Sequence, residues 1–121
     1  MERHSEQLAN DHYRHCHGTE QVWKFFGDIV ITDGIKEVAE KEKCFWFLDV
    51  ICSYQSQENF KNAPYQKWKL ERIEDTQFLV TASNLDNGEA LATQEIEFSD
   101  FFFRELIMLK KDNVILLPSE D

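Results

Sequence analysis

The chain has 121 residues, the length of one domain with no room for a second core. Hydrophobic residues make up 42% and charged residues 30%, which excludes a disordered chain, and 4 Gly with 2 Pro exclude collagen-like and linker classes. Lys plus Arg is 13 and Asp plus Glu is 23, a net charge of −10 that opposes the basic footprint of nucleic-acid and anionic-membrane binders.

Residues 1–17 are polar and His-rich and read as a segment ahead of a single domain, residues 18–121, with a short helix between Glu6 and His15. His12, His15, Cys16 and His17 are metal-ligand types. Three of them are consecutive, however, and on a helix they diverge by about 100° per residue. No metal and no cofactor is assigned.

Trp23, Phe25 and Phe26 form an aromatic knot, and Ile29-Val30-Ile31 is either a short strand or a buried connector. Thr32-Asp33-Gly34 starts a helix with Asp33 as N-cap, because Ile35, Val38 and Ala39 follow on one stripe. After the charged residues 40–43, the run Cys44 to Cys52 is apolar at every position but Asp49. Such a run suits a buried strand or a buried helix. With its lead-in it spans about twenty residues, so helix is preferred, broken near Glu42. A helix apolar all round needs cover on more than one side, from a sheet and from the N-terminal segment or a second subunit. Cys44 and Cys52 would lie roughly 12 Å apart on it, beyond the ~7 Å reach of a disulfide. The polar start Met1-Glu2-Arg3-His4-Ser5 has no signal-peptide character, and no apolar run approaches the ~18 residues of a membrane span. A reduced, cytoplasmic protein is expected.

From Pro64 the pattern turns to period two. Residues 66–73, 78–83 and 92–98 each carry one apolar face and read as three strands. Parity fixes their registers. A two-residue loop at Asn87-Gly88 would set Val80 against Glu95 and mix core with solvent. A three-residue loop, Asp86-Asn87-Gly88, pairs Phe78 with Ile96, Val80 with Gln94 and Ala82 with Ala92, with Gly88 left-handed. An odd-length loop around Glu74-Asp75-Thr76 likewise sets Trp68 and Leu70 beside Ala82 and Val80. Residues 101–105 suggest a helical turn. Leu106 to Leu109 and Val114 to Leu117 form a last hairpin about Lys110-Lys111-Asp112-Asn113. The expected fold is α+β: N-terminal helices packed on an antiparallel meander of four to five strands.

Asp49 is the one polar residue in the apolar helix, and a carboxylate there must be paired or protonated. Trp46 and Ser53 share its face, Tyr54 is near, and parity turns Gln94 toward the core. Trp46, Asp49, Ser53, Tyr54 and Gln94 therefore outline a candidate ligand pocket with a raised carboxylate pKa. The other reading of the same residues is a buried hydrogen-bond pair that sets helix-on-sheet register. Glu95 and Glu97 face outward and, with Asp86, Glu89, Asp100, Glu120 and Asp121, make an acidic surface. That surface is either a solubility device or a mimic of a nucleic-acid backbone, which Lys67 and Lys69 on the same face dilute. No phosphate loop, His-Glu-x-x-His pattern or nucleophile elbow occurs, so no catalytic residue is assigned.

Gly18-Thr19-Glu20 with Trp23, Thr32-Asp33-Gly34-Ile35, Ser53-Tyr54-Gln55, residues 66–70, residues 94–101 and residues 116–120 together resemble an uncharacterised bacterial family. It is a small domain of unknown function, frequent in cyanobacteria and on mobile elements. The resemblance spans residues 18–120, omits the His-rich start and brings no activity with it. It implies that Asp49, Tyr54, Gln94 and Glu95 lie in the family's better-defined stretches.

Size, acidity and the missing catalytic signatures point to a non-enzymatic binding protein, an acidic inhibitor or accessory factor of a mobile element or phage, with a protein partner. The alternative is a small ligand-binding domain or enzyme around Asp49. Neither direct nucleic-acid binding nor a membrane is expected. A homodimer is expected from the all-apolar helix and the Phe101-Phe102-Phe103 run.

Overall fold

The computed structural model describes residues 5–15 and 21–121. The fold is α+β, but the sheet has seven strands rather than four or five. The two additional strands come from the aromatic stretch and from Ile29-Val30-Ile31, which is a strand: β1 (Val22–Phe26) and β2 (Ile29–Thr32) form a hairpin about Gly27, which takes φ +58°. β3 (Tyr65–Glu74), β4 (Gln77–Asn84) and β5 (Ala90–Ile96) are the expected meander. β6 (Glu105–Lys111) and β7 (Val114–Leu116) are the expected last hairpin. Spatially the order is β1-β2-β7-β6-β3-β4-β5, and among these strands β2 beside β7 is the parallel pair.

The registers follow parity as expected: Trp68 lies opposite Ala82, Leu70 opposite Val80, Phe78 opposite Ile96 and Val80 opposite Gln94. The loops reach that parity differently. Glu74 pairs with Gln77 across a two-residue turn, and a register shift between Arg72 and Glu74 restores the odd count. The next turn is not the three-residue loop. Asn84 N–H donates to the Glu89 carbonyl across Leu85–Gly88, and a shift between Ala82 and Ser83 sets Ala90 against Ser83. A bulge added to an even loop leaves every core side chain on the core face. Gly88 takes φ +76° as its turn requires.

Helices cover one face of the sheet. α1 (Ala9–His12) is a single turn. α2 (Asp33–Lys41) is capped by Thr32, not Asp33: Thr32 Oγ1 accepts from Ile35 N–H. The C-terminus adds to that cap. Glu120 accepts from Gly34 N–H at 3.1 Å and from the Thr32 hydroxyl at 2.6 Å. A Cβ on Gly34 would stand 2.7 Å from the Glu120 carboxylate, so the glycine leaves room for the cap. Glu120 and Asp121, the latter paired with Lys111, thus serve intramolecular contacts rather than a free acidic tail.

The chain breaks at Glu42–Cys44, with Lys43 at φ +54°, and α3 (Phe45–Tyr54) follows as the expected helix. α4 (Glu58–Lys61) is a further turn that the sequence does not announce. Residues 101–104 are irregular, not a helical turn. Ile35, Val38, Phe47, Leu48 and Ile51 pack over Ile31, Ile115, Met108, Leu106, Trp68, Leu70, Phe78 and Val80. The other face carries Lys67, Lys69, Glu71, Thr81, Thr93 and Glu95, half-buried or exposed.

Residues 5–15 belong to this core. Ala9 and Tyr13 are buried, and the Tyr13 hydroxyl donates to Glu42. Residues 5–8 run along 102–105: Ser5 N–H donates to the Phe102 carbonyl, Arg104 N–H to the Gln7 carbonyl, and Leu8 bridges Glu105 in parallel. Phe101 and Phe103 are 3% and 2% exposed and belong to the core, whereas Phe102 between them is 40% exposed.

Candidate functional site

Asp49 is exposed, which corrects the pocket expected around it. The reason is periodicity. α3 buries Phe47, Leu48, Ile51 and Cys52, and the opposite stripe Phe45, Asp49, Ser53 faces solvent at four-residue spacing. Cover on one side suffices for this helix. Ser53 turns its hydroxyl back to the Val50 carbonyl at 2.7 Å, and Trp46 is half-buried beside Phe47. Helix and sheet do meet polar group to polar group, at the other two residues of the set: the Tyr54 hydroxyl donates to Gln94 Oε1 at 2.9 Å.

At the lower end of α3 the sequence analysis missed a buried polar clamp. Gln55 and Gln66 exchange two amide hydrogen bonds of 2.9 Å, Trp68 Nε1–H donates to Gln66 Oε1, and Gln66 Nε2 reaches the Ala63 carbonyl. Gln66 is fully buried. Its position on the core face of β3, two residues before Trp68, was the available signal.

Beside the clamp opens a cleft of about 370 Å³. Asp28 and Ile29 form one side, Phe60, Lys61, Ala63 and Pro64 another, and Lys110 with Asp112 and Asn113 the third. Lys110 sits on the core face of β6 after Leu106 and Met108 and is 8% exposed. Its amine donates to the Asp112 carbonyl. Burial pushes its pKa down. Nearby, burial pushes the Cys52 thiol up to about 11, and the Cys44 thiol deeper in the core up to about 12. Both thiols are free and buried.

The two sheet edges differ. β5 is blunted: Asn59 Nδ2 caps the Leu91 carbonyl at 3.1 Å, the strand is bulged, and Glu89, Glu95 and Glu97 stand along it. β1 is apolar and open. Val22 is 53% and Phe26 61% exposed, and Lys24 is the only charge of the strand. Among the described residues no strand pairs with its outer edge. A bulge between Lys24 and Phe26 turns Phe25 inward, where it stacks on Phe45 at 6.3 Å. Trp23 is held by Nε1–H donation to Asp33 at 2.9 Å and by Lys36, whose ammonium lies 4.7 Å from the ring centre. Asp33, expected as a helix cap, therefore positions this indole instead. A shallow cleft between Trp23 and α2 is rimmed by Asp33, Lys36, Glu37, Glu40 and Lys41.

Among the described residues of the His-rich stretch, no group of three metal-ligand side chains comes together. His12 lies against Phe103, His15 reaches Glu37 at 3.0 Å, and Cys16 and His17 lie outside the described residues. Among the described residues no helix is long and apolar enough to cross a membrane.

No curated protein and no solved structure is similar enough to this chain to register as a relative. One family model does match, and it covers residues 7–121, so it takes in the N-terminal segment that the resemblance from residue 18 onward omits. The chain belongs to the family described as Family of unknown function (DUF6876).

Proposed function

We propose that this chain is a non-enzymatic interaction protein whose contact surface is the outer edge of β1. Its occupant is an extended, basic segment of a partner protein that adds to the sheet as a further strand. The observation that carries the reading is an edge strand with Val22, Trp23 and Phe26 at 53%, 40% and 61% exposure, while the opposite edge is capped, bulged and acidic. Exposed apolar edges invite strand addition, and folded proteins blunt the ones they do not use. The net charge of −10 selects the partner: it attracts a basic segment and repels a second copy of the chain. An acidic inhibitor or accessory factor of a mobile-element or phage protein fits this chemistry.

Capture experiments with the edge altered test it. Val22→Glu with Phe26→Glu changes two exposed side chains and leaves the core alone. That variant is expected to fold as the parent does and to lose a stoichiometric basic partner. Phe98→Glu, at a residue 72% exposed and beyond the opposite edge, is expected to retain it. Equal recovery by both variants overturns the assignment, and so does self-association through β1.

A further inference from the structure

We infer that Lys110 is a nucleophilic amine which takes a small, neutral carbonyl compound from the cleft beside it as an imine. The inference is independent of the β1 edge.

Geometry singles this lysine out. It is the one buried lysine among the described residues. Lys111, the next residue, holds both Asp121 oxygens at 2.7 Å, and Lys36 holds Glu40 at 3.0 Å. Lys110 makes no ion pair within 4.0 Å among the described residues, and its amine is tethered to a backbone carbonyl. That contact orients the nitrogen without requiring it to be charged, because a neutral amine still donates.

The surroundings define the ligand. The cleft, about 370 Å³, is within the range that holds small molecules, and Ile29, Phe60, Ala63 and Pro64 offer its carbon body an apolar wall. The groups facing the amine come from four elements. The carboxylates of Asp112 and Asp28 in the two turns favour its charged form, as does Cys52 of α3 once ionised; Lys61 of α4, a like charge lining the same cleft, opposes it. Burial outweighs them and lowers the pKa, so more free base is present near neutrality than at a solvated lysine. An anion would meet Asp28 and Asp112 at the wall, which disfavours a carboxylate or phosphate ligand and leaves a neutral one.

The chemistry balances without an oxidant or reductant. The Nζ lone pair forms the C–N bond while the carbonyl π pair moves to oxygen. Oxygen takes up the proton that nitrogen releases, and the carbinolamine then loses water to give C=N. Hydrolysis reverses it.

Benzaldehyde serves as probe on the full chain at pH 7, with cyanoborohydride to fix the imine as a secondary amine and peptide mass mapping to locate it. Lys110 is expected to label severalfold faster than Lys111, because its lowered pKa leaves more of it as free amine. Excess benzoate is expected to leave that rate unchanged. Labelling of Lys110 no faster than Lys111, or only in denaturant, overturns the inference. Protection by benzoate also overturns it, since the cleft would then be an anion site.

Discussion

Asn10 makes to Ile107 the two hydrogen bonds that a neighbouring strand would make: its Oδ1 accepts from Ile107 N–H at 2.6 Å and its Nδ2 donates to the Ile107 carbonyl at 2.9 Å. β7 reaches only Leu109 to Lys111 of β6, so the rest of that edge would otherwise be bare. Residues 5–10 close it, and Arg72 locks them down by donating to the carbonyls of Ser5, Phe102 and Phe103. The chain thus protects two of its edges with side-chain amides, Asn10 on β6 and Asn59 on β5, and among the described residues nothing pairs with the outer edge of β1.

Asn10→Leu removes both bonds and leaves a part-buried N–H and carbonyl unpaired. Urea unfolding should show a loss of about 1–3 kcal/mol. Amide exchange should quicken at Ile107 and at Arg104, whose N–H is bonded to Gln7. A variant as stable as the parent would mean that the N-terminal segment does not hold this edge.

The Tyr54–Gln94 bond joins α3 to β5, whereas Asp49 makes no hydrogen bond or ion pair among the described residues. Tyr54→Phe should cost about 1 kcal/mol, and Asp49→Asn and Asp49→Leu should each stay within about 0.5 kcal/mol of the parent. Chemical denaturation of the three variants checks the order. A larger loss at Asp49 than at Tyr54 would reverse the two roles.

The strand parities were legible in the sequence because a buried face tolerates no slip: Phe78, Val80 and Ala82 could meet only Ile96, Gln94 and Ala92. The loops were less legible, since a bulge and an even turn give the same parity as an odd turn. β1 was hidden by Val22-Trp23-Lys24-Phe25-Phe26, which shows no alternation because its edge position exposes nearly every residue. Asp49 misled for a physical reason. In an apolar run a lone carboxylate reads as buried, yet it marks the solvent stripe of a helix covered on one side. Lys110 reads as part of a charged turn with Lys111, and only its β6 register turns it toward the core.

Alkaline pH should destabilise the fold through Cys44. Its thiol is pushed from an ordinary 9.0 up to about 12 by burial, with the nearby Glu42 adding to the effect. Below pH 9 both folded and unfolded thiols hold the proton, and the contribution is fully present. Between pH 9 and 12 the unfolded chain releases it and the folded chain does not, so stability falls by about 1.4 kcal/mol per pH unit from this group. Tyr13, buried against Glu42 and raised in the same direction, adds to the loss above pH 10. Cys44→Ala should flatten the fall, read from the midpoint of urea unfolding at successive pH values. An unchanged slope would mean that the thiol is solvated.

The most direct measurement on the central claim is amide hydrogen exchange of the chain alone and in complex with the basic partner it captures. Strand addition at β1 predicts slowed exchange at residues 22–26 and none at residues 90–96 of the opposite edge. Protection at residues 90–96, or across the outer face of β3 and β4 with residues 22–26 unchanged, would contradict it.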